Sequence, residues 1–503
     1  MATEATDRAA TAVGGTEESG QAVNGHGAVD RFFRISERGS TVGTEIRGGV
    51  VTFFAMAYII ILNPLILGSG ADRTGAVLGI PAVAAVTAFA AGFMTILFGL
   101  VARYPFGIAA GLGINTLVAV TFVATEGLTW PEAMGLVVVD GIVIVVLAIT
   151  GFREAVFNSI PDSLKAAIGV GIGLFITMIG LVDSGFVRRI PDAAGTSVPV
   201  GLGINGSIAS WPTLVFIVGL LICGALVVRK VRGGLFMGIV ATTLFAMLVE
   251  HFTKSGPSMV DGKPNPKGWN FAVPTVPDSL GGLPDLHLLG SVDVFGAFSR
   301  VGALAASLMV FTLVLANFFD AMGTMTALGK QANLMDREQR LPNLRTALVV
   351  EGAGAVVGGM ASASSNTVYV DSAAGIGDGA RTGLANIVTG LLFLFAMFLT
   401  PLYEVVPIEA AAPVLVIVGA MMISQITEID FSRFDIGFPA FLTIVVMPFT
   451  YSIANGIGVG FIAYVVMAIV SGRTKKVHPL MYVVAALFVM YFAVDPVLDA
   501  INH

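Results

Sequence analysis

Charged residues are scarce in this chain. Lys and Arg (27) and Asp and Glu (33) make up only 12% of its 503 residues, whereas a soluble protein carries roughly 25%. Hydrophobic residues make up 55%. So little charge cannot cover a soluble surface of this size, which excludes a soluble globular protein. The composition predicts a membrane protein with many helical spans, each of about 20 apolar residues.

Other residue types are also nearly missing. Cys223 is the only cysteine, which excludes an intrachain disulfide framework and a cysteine-based zinc site. The histidines are few and scattered outside the apolar runs, at His26, His251, His287, His478 and His503. We therefore expect no metal site and no cofactor. The net charge of −6 argues against a nucleic-acid partner.

Long charge-free runs are what the sequence has instead. They lie at Gly48–Ala71, Thr74–Ala102, Tyr104–Thr125, Ala166–Val182, Ala193–Val228, Val301–Phe319, Thr382–Tyr403, Ala410–Thr427 and Ile436–Gly472. Their lengths predict about 13 to 15 membrane segments, the last near Leu480–Val494. Hydropathy leaves open whether Ile436–Gly472 is one bent element or two spans.

The ends and loops indicate an orientation. Residues 1–30 lack an apolar core and predict a disordered tail, not a signal peptide. Residues 31–45 are expected at the membrane surface, and residues 251–300 form the longest external loop. Basic residues lie in alternate loops, and this pattern places the N-terminus in the cytoplasm. Arg188 and Arg189 are exceptions to it. That pattern rests on Arg31, Arg34, Arg38, Arg47, Arg103, Arg153, Lys165, Arg229, Lys230, Arg232, Lys330, Arg337, Arg340 and Arg345.

Two segments do not have the pattern of an ordinary span. Tyr104–Thr116 contains a proline and three glycines before Asn115, and Ala361–Gly377 is small and polar within apolar flanks. Irregular backbone at membrane depth persists only where protein or a water-filled cavity satisfies it. One such break in each half of the chain indicates a transporter with its binding site between inverted repeats. The alternative is that both are polar loops.

Two acidic residues within the apolar sequence are further candidates for the binding site. Asp320 follows 19 uncharged residues, and Asp371 lies inside the second break. An intramembrane carboxyl group is costly and indicates function. Loss of hydration favours its neutral form, which suits a proton carrier and a hydrogen bond to a substrate ring. The alternatives are a helix-end acid at the lipid interface for Asp320 and an N-cap for Asp371.

Weaker candidates lie elsewhere. Asp140 and Glu351 are expected to be polar groups satisfied between helices rather than site residues. Asn63, before Pro64, is expected to end the first span. Asn115 closes the first break and is a better site candidate.

Several motifs resemble one transporter family. Thr44–Pro64, Gly111–Asn115, Phe319–Thr324, Tyr369–Gly375 and the run that starts at Pro448 resemble, in order, the AzgA-like branch of the nucleobase–cation symporter 2 family. The resemblance covers residues 30–495. It implies an all-α polytopic fold of 14 transmembrane segments in two inverted repeats of seven, the UraA-like arrangement.

The resemblance also divides the chain. Residues 31–250 would form the first seven-span repeat and residues 301–495 the second. Spans 1–4 and 8–11 would form a core domain, and spans 5–7 and 12–14 a gate domain. Spans 3 and 10 would be half-helices preceded by short paired strands. The N-termini of these half-helices would offer their dipoles and free N–H groups to the substrate.

Function and site residues follow from the same resemblance. Members of this branch import adenine, guanine or hypoxanthine with protons, usually as homodimers in the cell membrane. Asp320 and Asp371 would be the paired substrate and proton acids. The substrate-binding set implied by motif position is Asn115, Asp320, Thr324, Asn366, Thr367, Tyr369 and Asp371. A stacking ring for the base could come from Phe318, Phe319 or Tyr369, among which the sequence does not choose.

The sequence departs from the family pattern at both acids. The span-10 acid is commonly Glu, and here Asp371 is one methylene shorter; Ala321 follows Asp320 where Thr is usual. The competing interpretations are a uracil or xanthine carrier of the same fold, an inorganic-anion carrier and a membrane-embedded enzyme. Two acids disfavour an anion site, and an enzyme would need a nucleophile with a base, which is not visible.

Overall fold

Helices form nearly all of the spans. The computed structural model describes residues 27–151, 159–189, 200–260, 263–270, 272–277, 279, 281–336 and 341–502, so most of the predicted tail lies outside the described residues. After α1 (Ala28–Phe33), the first repeat contains α2 (Val42–Met56), α3 (Ile59–Leu67), α4 (Ile80–Val101), β1 (Ile108–Ala110), α5 (Leu112–Thr116), a π-helix (Leu117–Thr125), α6 (Trp130–Thr150), α7 (Asp162–Asp183), the hairpin β2 (Val187–Arg189) and β3 (Val200–Leu202), α8 (Trp211–Val228) and α9 (Gly234–Thr253).

The second repeat follows a long loop with its own small hairpin, β4 (Met259–Val260) and β5 (Lys263–Pro264). It contains α10 (Gly296–Arg300), α11 (Ala303–Gln331), α12 (Leu344–Met360), β6 (Asn366–Val368), α13 (Ser372–Gly377), α14 (Gly383–Ala396), α15 (Thr400–Glu404), α16 (Ile408–Ile423), α17 (Phe434–Thr450), α18 (Ile453–Val470) and a further helix, α19 (Pro479–Asn502). Within the described ranges, eight helices are long and apolar enough to cross a membrane, and shorter apolar helices accompany them. The expected all-α polytopic class is confirmed.

Helix packing repeats itself between the two halves. α4 (span 2) packs on α14 (span 11), and α6 (span 4) packs on α12 (span 9). If span 2 corresponds to span 9 and span 4 to span 11, the second contact is the counterpart of the first. The other helices show the same relation if α7, α8 and α9 correspond to α16, α17 and α18. The contact α8–α16 then has α7–α17 as its counterpart, and α8–α9 has α17–α18. This correspondence is what two inverted seven-span repeats produce, and it makes α18 the fourteenth span.

The open question about residues 436–472 is answered by two helices. α17 and α18 are joined at Tyr451, which has a left-handed backbone, and pack against each other along their length. The close approach depends on Gly456 and Gly460, because a Cβ atom at either would collide with Thr443 or Met447.

The expectation that Asn63 ends the first span is wrong. α3 runs through Pro64 to Leu67, and the first span is interrupted earlier, between Met56 and Ile59. A proline removes one helix hydrogen bond and crowds the carbonyl four residues before it. Here α3, buried at every residue except Ile66, is held by packing on α4, and the helix continues.

The helices fall into two sets by contact. The site-bearing set contains the first four spans and α11–α14; α4–α14, α6–α12 and α2–α14 are its main contacts. The flanking set contains α7–α9 and α16–α18, joined through α7–α16, α7–α17 and α8–α16.

Candidate functional site

The two breaks meet as a pair of short strands. β1 runs antiparallel to β6, with Ala109 opposite Thr367. The pairing extends on both sides, because Tyr369 N donates to Gly107 O (2.9 Å) and Gly111 N donates to Ser365 O (2.9 Å). All six strand residues are buried. The strands satisfy each other's backbone groups in the interior, as irregular backbone at membrane depth requires.

Asp371 lies between β6 and the half-helix α13. Its carboxylate accepts a hydrogen bond from the Tyr58 hydroxyl (2.9 Å). Although it occupies the N-cap position, its side chain makes no capping bond, so the N-cap alternative is wrong. The expected free N–H groups are also absent in this half-helix, because Ser372, Ala373 and Ala374 donate to carbonyls of residues 369–371.

Asp320 lies inside a helix. α11 continues to Gln331, so the helix-end alternative is wrong. The carboxylate lies near the hydroxyl of Thr367 and within electrostatic range of Glu351. Thr324 is one turn further along α11, and residues four apart share a helix face. Glu351 is fully buried. It was expected to be a polar group between helices, and it lies within electrostatic range of Asp320 as well.

Two tyrosines stand between these acids. The rings of Tyr58 and Tyr369 have centroids 6.3 Å apart, and both hydroxyls lie within electrostatic range of Asp320 and Asp371. The Tyr369 hydroxyl donates to Ala110 O of β1 (2.5 Å). Among the rings considered for stacking, Tyr369 lies within electrostatic range of both acids. Phe318 belongs to the same buried apolar cluster as Tyr369, and the Phe319 side chain lies outside the described residues.

Orphan polar atoms line the same strand. Asn366 is fully buried, and neither its amide nitrogen nor its amide oxygen has a hydrogen-bond partner in the described part of the chain. The Thr367 hydroxyl lies near Asp320 without completing a hydrogen bond. A buried polar group left unpaired costs about 1–3 kcal/mol. The Thr367 hydroxyl beside Asp320 is therefore available to a polar ligand, whereas the Asn366 amide lies next to Gly358 of α12.

Asn115 belongs to a network next to the strands. Its side-chain nitrogen donates to Asn63 Oδ1 (2.6 Å), and Asn63 donates to Thr87 Oγ1 (2.8 Å) and to Ala363 O (3.1 Å). The network ties α3, α4 and α5 to the chain just before β6. Asn63 and Asn115 therefore support the strand pair in this conformation.

Comparisons with known proteins agree with this architecture. A model of the permease family matches residues 43–459. This chain belongs to the permease family. It is 38% identical to the guanine/hypoxanthine permease PbuG of Bacillus subtilis over 92% of this chain and 98% of the relative. It is 34% identical to the adenine permease AdeP of Escherichia coli over 93% and 96% of the two chains. The expected family resemblance is confirmed, and the permease is a transporter, not an enzyme.

Solved structures support the fold alone. The transmembrane domain of the cyanobacterial bicarbonate transporter BicA superposes with a TM-score of 0.55, at 16% identity, over 85% of this chain and 97% of that domain. The overall structure of SLC26A9 gives 0.53 at 11% identity, over 85% and 65%. The permease is a multi-pass membrane protein of this architecture.

Sequence reasoning missed two site features of the permease. Tyr58, the partner of Asp371, lies in an apolar run where neither charge nor proline marks it. Asn317 of α11 donates to Ser365 Oγ (2.8 Å) and to the carboxylate of Asp140 on α6. The prediction that Asp140 is satisfied between helices is confirmed. The sequence does contain a signal for Asn317: it lies three residues before Asp320, so the two side chains share one face of α11.

A cavity separates the two helix sets of the permease. It has a volume of about 220 Å³ and lies beside the ends of α3 and α7. The site-bearing set contributes Ile66, Thr116 and Trp130, and the flanking set contributes Asp183 and Tyr451. The sets are thus not packed together at this end, which leaves room for an approach path from that side.

Proposed function

We propose that this permease imports purine nucleobases, namely adenine, guanine or hypoxanthine, together with protons. The observation that carries the proposal is that Asp320 and Asp371 lie within electrostatic range of the same two tyrosines, Tyr58 and Tyr369, with the Thr367 hydroxyl of β6, unpaired within the described residues, beside Asp320. A purine is flat and presents N–H donors and ring nitrogens along its edges. Carboxylates can accept from those donors, while the Asn366 amide can both donate and accept.

The printed functions of the relatives favour purines over other bases. PbuG is named for guanine and hypoxanthine and AdeP for adenine, and each aligns with nearly the whole chain. The polar site also fits a flat heterocycle that needs a few placed polar groups in an apolar slot. Asn115, Thr324 and Tyr369 complete the proposed binding set around Asp320, Asn366, Thr367 and Asp371.

Asp320 and Asp371 also serve as the proposed proton sites. A carboxylate enclosed by helices is stabilised in its neutral form by loss of hydration. A proton removes the cost of the buried charge, and a base that forms a hydrogen bond with the protonated carboxyl group stabilises that form further, so each favours binding of the other. The coupling ion is therefore the proton, and no bound cofactor is needed.

The test of substrate class is uptake of radiolabelled adenine by cells without their own nucleobase carriers. Excess unlabelled hypoxanthine or guanine should inhibit, whereas uracil, xanthine and sulfate should not. A protonophore should abolish accumulation. Inhibition by uracil or xanthine instead of hypoxanthine or guanine would replace the proposed cargo with that of the competing interpretation, and inhibition by sulfate would favour an anion carrier.

Transport would proceed by movement of the two helix sets against each other. The site-bearing set corresponds to the proposed core domain and the flanking set to the gate domain. We place the N-terminus in the cytoplasm from the basic loops. The transporter is proposed to act as a homodimer in the cell membrane.

An ion pair joins the two helix sets at the proposed cytoplasmic side. Asp378, at the C-terminal end of α13, is 1% exposed and pairs with Arg47 of α2 and with Arg232. Arg232 belongs to the loop between α8 and α9 of the flanking set. The same six-residue half-helix therefore connects Asp371 at one end to a contact between the sets at the other.

Arg232→Gln should slow transport without weakening substrate binding. Loss of a half-exposed ion pair is worth about 1 kcal/mol, which corresponds to about a fivefold change in the balance of closed and open states. Initial uptake rates and adenine binding to purified protein measure the two effects. Arg229→Gln, three positions away in the same exposed turn, is the control. Equal rates for both variants would count against a role of this pair in opening.

Asp371→Glu should change the order in which bases compete. The longer side chain moves the carboxylate by about one C–C bond length and displaces it from Tyr58, while the charge stays. The inhibition profile of the bases measures this change. Asp162→Glu, at a side chain that is 91% exposed, is the control. A profile identical to that of the wild type would show that Asp371 does not touch the base.

A further inference from the structure

A second cavity lies far from the site, at the end of α4 that faces the proposed cytoplasmic side. Its volume is about 220 Å³. Arg34, Arg38 and Arg103 line it, together with Asn343, Thr346 and Val101. The three arginines come from two separate segments, the chain after α1 and the turn after α4, so the fold brings them together.

Two of the arginines, Arg38 and Arg103, are held in place by uncharged groups. Arg38 Nη1 donates to Arg103 O (2.6 Å) and to Arg381 O (3.0 Å), and its guanidinium lies 5.4 Å from the centroid of Tyr104. The Arg103 guanidinium lies 4.6 Å from the centroid of Phe32. Carbonyls and rings fix the side chains and leave their positive charge in place.

Little negative charge opposes them in the described part of the chain. Glu37 lies 3.8 Å from Arg34 Nε, with both side chains exposed, which makes a weak pair. Glu45 is the other nearby acid, and its oxygens accept from the backbone N–H groups of Arg381 and Thr382 (2.8 and 3.1 Å). The cavity therefore carries a net positive charge.

The rim of the cavity is apolar on one side. Val101, the last residue of α4, lines the cavity and is 46% exposed; Phe32 of α1 is 42% exposed. In the proposed orientation, α4 ends at Val101 on the cytoplasmic face of the bilayer, so acyl chains can pack on Val101 and on Phe32, which contacts Arg103, while a headgroup enters the cavity. Asn343 and Thr346, at the start of α12, add polar groups to the arginine donors.

We propose that this cavity binds the phosphate headgroup of an anionic phospholipid. A guanidinium group binds phosphate through paired N–H donors, and three of them around one cavity match a single phosphodiester. A free phosphate has the same chemistry, but it makes no use of the apolar rim. The proposal does not depend on which substrate is carried.

Native mass spectrometry of the purified full-length protein tests the proposal, with phosphatidylglycerol, phosphatidylcholine or inorganic phosphate added. The wild type should bind phosphatidylglycerol at least about tenfold more tightly than phosphatidylcholine. Arg34→Gln/Arg103→Gln should weaken phosphatidylglycerol binding about thirtyfold, since each basic residue near an anionic lipid contributes roughly a five- to sixfold factor. Arg34→Lys/Arg103→Lys keeps the charge but loses the paired N–H donors, so its preference for phosphatidylglycerol should lie between those of the wild type and the glutamine variant.

Arg229→Gln/Lys230→Gln is the matched control, because it removes the same charge from the exposed α8–α9 turn on the same proposed side. It should bind phosphatidylglycerol as the wild type does. Equal affinity of the wild type for both lipids would overturn the proposal, as would equal loss in the control. Displacement of the lipid by inorganic phosphate at similar concentration would assign the cavity to a free anion and overturn the lipid assignment. Unchanged melting of the glutamine variant in phosphatidylcholine would show that it is folded.

Discussion

Asp320→Asn is expected to reduce purine uptake by at least about a hundredfold while the protein still reaches the membrane. The amide has nearly the same shape, so helix packing is kept. The amide can neither take up nor release a proton, and it replaces an acceptor that is charged in one state of the transport cycle with one that is always neutral. A hydrogen bond to a charged group contributes about 1.5–3 kcal/mol, which corresponds to factors of about 10 to 100 before coupling is lost.

The measurement is initial uptake of radiolabelled adenine, normalised to the amount of protein in the membrane. Asp162→Asn is the matched control, because it makes the same change at a side chain that is 91% exposed at the start of α7. The control should transport normally. Normal uptake by Asp320→Asn would remove Asp320 from the proton and substrate roles together.

Gly99→Leu is expected to prevent correct folding. Gly99 of α4 faces Gly383 of α14, and a Cβ atom at position 99 would lie 2.5 Å from Gly383 O and 2.8 Å from Asn386 Cβ. The backbones of the two helices must separate to admit any side chain. Overpacking costs typically 1–3 kcal/mol, and here the obstacle is backbone, so we expect about 3 kcal/mol or more.

Fluorescence-detected size exclusion after heating measures the loss for Gly99→Leu. Gly224→Leu is the control, since this glycine is also within a spanning helix, α8. The atom nearest to a Cβ added at Gly224 is Ile417 Cδ1, at 3.8 Å, which is an ordinary contact distance. The control should stay monodisperse and melt close to the wild type. If both variants melt alike, the α4–α14 contact does not hold the site-bearing set together.

The breaks and the two acids could be predicted from sequence because their signals are local. Proline, glycine and polar residues inside apolar flanks are unusual in lipid, and the same holds for Asp320 and Asp371. The structure pairs the two breaks as β1 and β6. Which residue of one faces which residue of the other is set by helices far apart in sequence, so the register was not predictable.

The expectations that proved wrong failed because contacts between segments far apart in the sequence outweighed the local sequence signals. Pro64 marks a helix end in an isolated peptide, but α3 continues through it because nearly all of its residues are buried against neighbouring helices. The half-helix α13 was expected to offer free N–H groups, but the turn before it accepts them. The hydrogen bond from Tyr58 to Asp371 joins residues 313 positions apart, and no local pattern indicates it.

Proton-driven purine import through Asp320 and Asp371 is tested most directly by radiolabelled adenine uptake into proteoliposomes with purified protein and an acidic exterior. We expect accumulation above the external concentration, which disappears when the pH gradient is collapsed and is absent for Asp320→Asn. Accumulation that persists without a pH gradient, or that requires a sodium gradient instead, would contradict proton-driven import.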